Sequence, residues 1–117
     1  MQMNNSMNMM NNSVLETDLA LLRRNAESIV RAIPAGTKLL PVLKCDAYGL
    51  GAAEIARVLE PLEAVAGFAV AHVSEGLALR NAGITKDILV MSSALPWQLS
   101  AAVEANLTLA CGRAGFA

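Results

Sequence analysis

Apolar and polar positions along the chain change period several times, and each change marks an element. From Leu19 to Ile33 the apolar residues Leu19, Leu22, Ala26, Ile29, Val30 and Ile33 recur at helical spacing, with Arg23, Arg24, Glu27 and Arg31 on the other side. This predicts an amphipathic helix, started by Thr17 or Asp18 as cap and ended by Pro34-Ala35-Gly36. Val14 to Thr17 before it is a short strand candidate. The nearly unbroken apolar run Lys38 to Leu43 predicts a strand covered on both faces, with Pro41 removing one ladder donor. A loop over 44–51 leads to a second helix marked by Ala52, Ile55, Ala56, Leu59 and Leu62, with Pro61 near its end.

The alternation continues. Gly67 to Ala71 predicts a strand, and Ser74 is the expected cap of a third helix with Glu75 in its first turn, Arg80 in its last and Gly83 as its stop. Ile88 to Met91 predicts another strand, Pro96 opens a helix over 97–105, and Leu107 to Ala110 form a final strand. Strands beginning at Lys38, Gly67, Ile88 and Leu107, separated by helices, predict an α/β fold of about four parallel strands with right-handed crossovers. A closed (β/α)8 barrel needs about 250 residues. The expectation for 117 residues is therefore an open sheet or part of a barrel.

Composition narrows the partners. The chain is 55 % hydrophobic but only 3 % aromatic, so its core must come from Ala, Leu, Val and Ile, as in helices packed on strands. Nine basic and ten acidic residues are interspersed without a basic cluster, which argues against nucleic acid as a partner. No apolar run approaches the roughly 20 residues that span a bilayer, so the expectation is a soluble cytoplasmic protein with a small-molecule ligand. Residues 1–13, with five Met and five Asn and no Lys or Arg, read as a disordered tail ahead of one unit over 14–117. Cys45 and Cys111 fit neither a close ligand pair nor a disulfide framework. His72 has no second His or Cys at ligand spacing, so no metal is assigned.

The segment with chemical content is Val42-Leu43-Lys44-Cys45-Asp46-Ala47-Tyr48-Gly49-Leu50-Gly51. It puts a lysine at the carboxyl end of an apolar strand, the end where parallel α/β folds assemble their sites. An amine at that position is placed to attack an aldehyde. A charged residue that simply ends a strand at the surface is the other reading of the position taken alone. Alternation turns Cys45 away from the Lys44 side, toward packing. Gly49 and Gly51 read as a tight turn and Trp97 as a cover for the sheet edge.

The whole string resembles the pyridoxal-phosphate attachment motif of alanine racemases, V-x-K-A-N/D-A-Y-G-H-G. Flanking segments are also similar to that family: Glu16 to Leu19 with Leu22 and Asn25, Gly67 to Ala71 with Glu75, Leu79-Arg80 and Ala82 to Ile84, and Ile88 to Met91. Cys45 and Leu50 depart from its usual Ala and His, and Cys111 to Ala117 no longer resemble it. The resemblance implies an N-terminal (β/α)8 barrel, a homodimer with a shared site, and pyridoxal 5'-phosphate as cofactor. It implies that Lys44 holds the cofactor as a Schiff base and serves as one of two bases, and that Tyr48 binds the phosphate. The implied reaction is interconversion of L- and D-alanine, supplying D-alanine for peptidoglycan.

The family's opposite-face tyrosine and later phosphate-binding loops have no counterpart in these 117 residues, so the expectation is a truncated, inactive chain. A serine racemase or basic amino-acid decarboxylase would also place a lysine after a strand, but Ala47-Tyr48-Gly49-x-Gly51 favours the racemase. A fragment that binds the cofactor without catalysis, or self-associates, is the non-enzyme alternative.

Overall fold

The computed structural model describes residues 12–112 and 114. Most of the tail expected over 1–13 therefore lies outside the described residues.

Helix α1 (Leu19–Ala32) is capped by Asp18, whose carboxylate accepts the Leu21 N–H at 2.9 Å. Its apolar stripe packs Ala26, Leu19 and Leu22 onto the core, while Ile29 stays exposed at the edge of the stripe. After α1 come the turn Lys44–Tyr48, α2 (Ala52–Leu59), β1 (Gly67–Val70), α3 (Val73–Asn81) and β2 (Asp87–Val90). A 3-10 turn over Pro96–Gln98 then leads into α4 (Leu99–Glu104), which is followed by β3 (Thr108–Leu109).

Among the described residues the sheet has three strands, all parallel, in the order β1-β2-β3. The expected first strand, Lys38 to Leu43, does not form a regular one. Leu39 bridges Val65 and Val42 bridges Ala69, so two residues on one side face three on the other. Pro41 lies inside that bulge: its carbonyl accepts the Ala69 N–H at 2.9 Å, but it has no N–H to give back. Pairing resumes with the Leu43 N–H donating to the Ala69 carbonyl at 2.8 Å. The segment thus lies beside β1 with the direction expected of it, without a continuous ladder.

Other departures have local causes. Val14 to Thr17 form no strand; Val14 and Leu15 are exposed, and among the described residues no strand lies beside them. Helix α3 begins at Val73 with His72 as its cap, and Ser74 lies inside the first turn. Glu75 decides this start, because its carboxylate reaches back to accept the His72 N–H at 2.8 Å. Trp97 covers no edge and is 75 % exposed.

The register divides the sheet into two unlike faces. Leu43, Phe68, Val70, Ile88 and Val90 are all buried in the core that α2, α3 and α4 help to close. On the opposite face Leu40, Val42 and Met91 remain exposed. At the amino end of the strands, charged side chains close the loops. Arg80 donates to the carbonyls of Ile84, Lys86, Ala105 and Asn106 at 2.7–2.9 Å. Glu60 Oε2 accepts the N–H groups of Thr85 and Lys86 at 2.8 and 3.0 Å.

Candidate functional site at the carboxyl end of the sheet

Leu43 is the last paired residue of its segment, and Lys44 follows it at the carboxyl end of the sheet. There the chain takes an unusual path. Cys45, Asp46, Ala47 and Tyr48 have φ of 55, 54, 54 and 56°, so Cys45 to Tyr48 form a turn of left-handed helix directly after Lys44. Four successive L-residues in that region are unfavourable by roughly 1–2 kcal/mol each. Local bonds offset part of this: the Ala47 N–H donates to the Leu43 carbonyl at 2.9 Å, and Gly49 N–H to the Cys45 carbonyl at 3.0 Å. Gly49, at φ 86°, continues in the same region without a Cβ to clash, and Gly51 follows at φ 100°. The expected tight turn at these glycines is present.

Two carboxylates hold the turn to the rest of the fold. Asp46 Oδ1 accepts the Ala52 N–H at 2.8 Å, satisfying the first N–H of α2 from six residues upstream. Glu75, on α3, accepts three backbone N–H groups: Cys45 on Oε2 at 2.7 Å, and Ala71 and His72 on Oε1 at 2.9 and 2.8 Å. In the sequence Glu75 was a first-turn helix acid and one of the family-like residues, with no link to Cys45. Its contact with Cys45 crosses 30 positions and has no local signature.

Lys44 is half-buried and Tyr48 exposed, and the Lys44 Nζ stands 5.9 Å from the centroid of the Tyr48 ring. The two expected cofactor-binding residues are therefore neighbours on one turn, within cation–π range. Cys45 is exposed and free, not packed in the core as strand alternation suggested, because the chain has left the strand before reaching it. His72 and Ser92 stand on the same rim, with Ser92 Oγ 3.2 Å from His72 Nδ1 and donating to the Ala71 carbonyl. Among the described residues no group of three His, Cys, Asp or Glu is placed to hold a metal ion. A primary amine beside a phenol, at the open end of a parallel sheet, can bind an aldehyde through the amine and an anionic group through the hydroxyl.

The family model for the N-terminal domain of alanine racemase matches residues 17–115. An alanine racemase of Geobacter sulfurreducens is 44 % identical over 98 residues, which cover 84 % of this chain and 25 % of that protein. One from Aquifex aeolicus is 38 % identical over 96 residues, covering 82 % of this chain and 28 % of that protein. Among solved structures, alanine racemase from Bacillus anthracis with bound L-Ala-P superposes with a TM-score of 0.75 at 32 % identity, over 80 % of this chain and 24 % of that one. Alanine racemase of Clostridium difficile 630 gives 0.71 at 36 % identity, over 75 % and 23 %. The chain thus spans about a quarter of the length of the relatives it matches. By sequence and by fold alike, it belongs to the alanine racemase family, to whose N-terminal domain it corresponds.

Proposed function

We propose that this chain supplies the lysine half of an alanine racemase site, in which Lys44 holds pyridoxal 5'-phosphate and Tyr48 binds its phosphate. The observation that carries the reading is the placement of Lys44 directly before, and Tyr48 at the end of, one left-handed turn at the carboxyl end of the parallel sheet, 5.9 Å from amine to ring. The donor set fits the cofactor: an amine able to add to its aldehyde, and a phenol able to donate to a phosphate oxygen. When bound, the cofactor would supply an electron sink for the carbanion formed at the amino acid's Cα. The chain's own part is to hold that group at Lys44 and to move a proton on one side of Cα. Racemisation needs a second acid/base group on the other side.

In this reading residues 14–117 are the first part of a (β/α)8 barrel, and the uncovered sheet face bearing Leu40, Val42 and Met91 belongs to its interior. The active assembly would be a cytoplasmic homodimer acting on alanine, with D-alanine destined for peptidoglycan. Among the described residues no helix is long and apolar enough to cross a membrane.

Borohydride trapping with pyridoxal phosphate, followed by peptide mapping, tests the assignment. The label should fall on Lys44 and vanish in Lys44→Ala; equal labelling of Lys38 or Lys86 would refute it. The 117-residue chain alone should form no D-alanine from L-alanine above the Lys44→Ala blank. Turnover clearly above the blank would show that one face suffices.

A further inference from the structure

We infer that Glu75 is a positioning residue for Lys44, an inference that rests on the cofactor reading above. The Cys45 N–H that it binds belongs to the Lys44–Cys45 peptide unit, which is planar and rigid. Holding that unit sets the ψ of Lys44 and hence the direction in which its side chain leaves the sheet. The same carboxylate grips Ala71 and His72 where the chain leaves β1, so one side chain ties the lysine's peptide to the sheet edge. Such a tie is needed here because the turn that begins at Cys45 lies in an unfavourable region and would otherwise relax toward ordinary backbone geometry. Asp46 secures the far end of the turn through Ala52, and no other side-chain hydrogen bond from outside the turn reaches the Cys45 end among the described residues.

Glu75→Gln separates the two duties. Its amide has one acceptor oxygen and one donor group, so it can bind Ala71 and His72 or Cys45, but not both sets. Amide exchange of the 117-residue chain, followed by NMR, should show Cys45 exchanging about 10-fold faster or more in Glu75→Gln, the scale of one lost charge-assisted hydrogen bond. Phe68 and Ile88 amides in the sheet should keep their protection. Trapping of pyridoxal phosphate at Lys44 should fall by a similar factor, with Lys38 and Lys86 unchanged. Adding Cys45→Gly, which removes the Cβ penalty at positive φ, should restore part of the Lys44 labelling, a rescue that general destabilisation would not give. If the sheet amides of Glu75→Gln also lose protection, Glu75→Asp, too short to span both contacts, is read in the same way. An unchanged Cys45 amide in Glu75→Ala, which can bind neither set, overturns the inference, and so does a fast-exchanging Cys45 amide with Lys44 labelling intact. If Lys44 is not labelled in the wild type, the cofactor reading fails, and Cys45 exchange still decides whether Glu75 holds the turn.

Discussion

Replacing residues of the left-handed turn by glycine should stabilise the fold at one position and leave it nearly unchanged at two others, from one backbone geometry. At Cys45, exposed and at φ 55°, glycine removes a steric cost of roughly 1–2 kcal/mol. It adds about 0.4–1 kcal/mol through the greater freedom of the unfolded chain. The net expectation is a gain of about 0.5–1 kcal/mol. At Ala47, also at φ 54° but only 5 % exposed, the same balance loses a buried methyl worth about 0.8 kcal/mol, so Ala47→Gly should be near neutral. At Asp46, glycine discards the bond to Ala52, worth about 1 kcal/mol, and should again come out near neutral. A β-branched residue reverses the sign, and Cys45→Val should lose about 1 kcal/mol or more. Urea unfolding of the four variants, compared by midpoint at constant slope, measures the series. If Cys45→Gly is destabilised while Cys45→Val is tolerated, the turn is not left-handed in solution, and the argument for a tied, strained lysine turn falls with it.

Three further substitutions test the packing that presents this turn. Arg80→Met should lower stability by about 2–4 kcal/mol, because four carbonyls from two loops lose one shared donor; a loss under about 0.5 kcal/mol in thermal or urea unfolding would mean that water replaces it freely. Gly67→Ala would drive a Cβ into the Asp87 carbonyl of the neighbouring strand, so a loss of about 2 kcal/mol or more is expected, and a wild-type melting curve would contradict the close approach of β1 and β2. Phe68→Ala, at a fully buried position, should cost about 3–5 kcal/mol by the same assay; a loss under 1 kcal/mol would place Phe68 outside the core.

Local pattern was enough to determine most of the scaffold. The stripe of α1, the apolar runs of β1 and β2 and the Pro96 start before α4 each follow from a period or a punctuating residue, and the alternation of elements implied parallel pairing. Lys44 and Tyr48 stood out for a different reason, the likeness of their string to the alanine racemase attachment motif, since position alone left Lys44 with two readings. Tertiary structure decided what depended on distant partners. Pro41's missing donor mattered only once the segment lay beside β1, where it coincides with a bulge rather than a ladder. Val14 to Thr17 carry strand-like residues but among the described residues have no strand beside them, and a strand without a neighbour leaves its hydrogen bonds to water. The left-handed course of Cys45 to Tyr48 runs against the preference of every residue in it, so no local rule announces it. It persists in the fold because Asp46 ties it to the start of α2, six residues on, and Glu75 reaches Cys45 from 30 residues away, a contact that exists only after α3 has packed on the sheet.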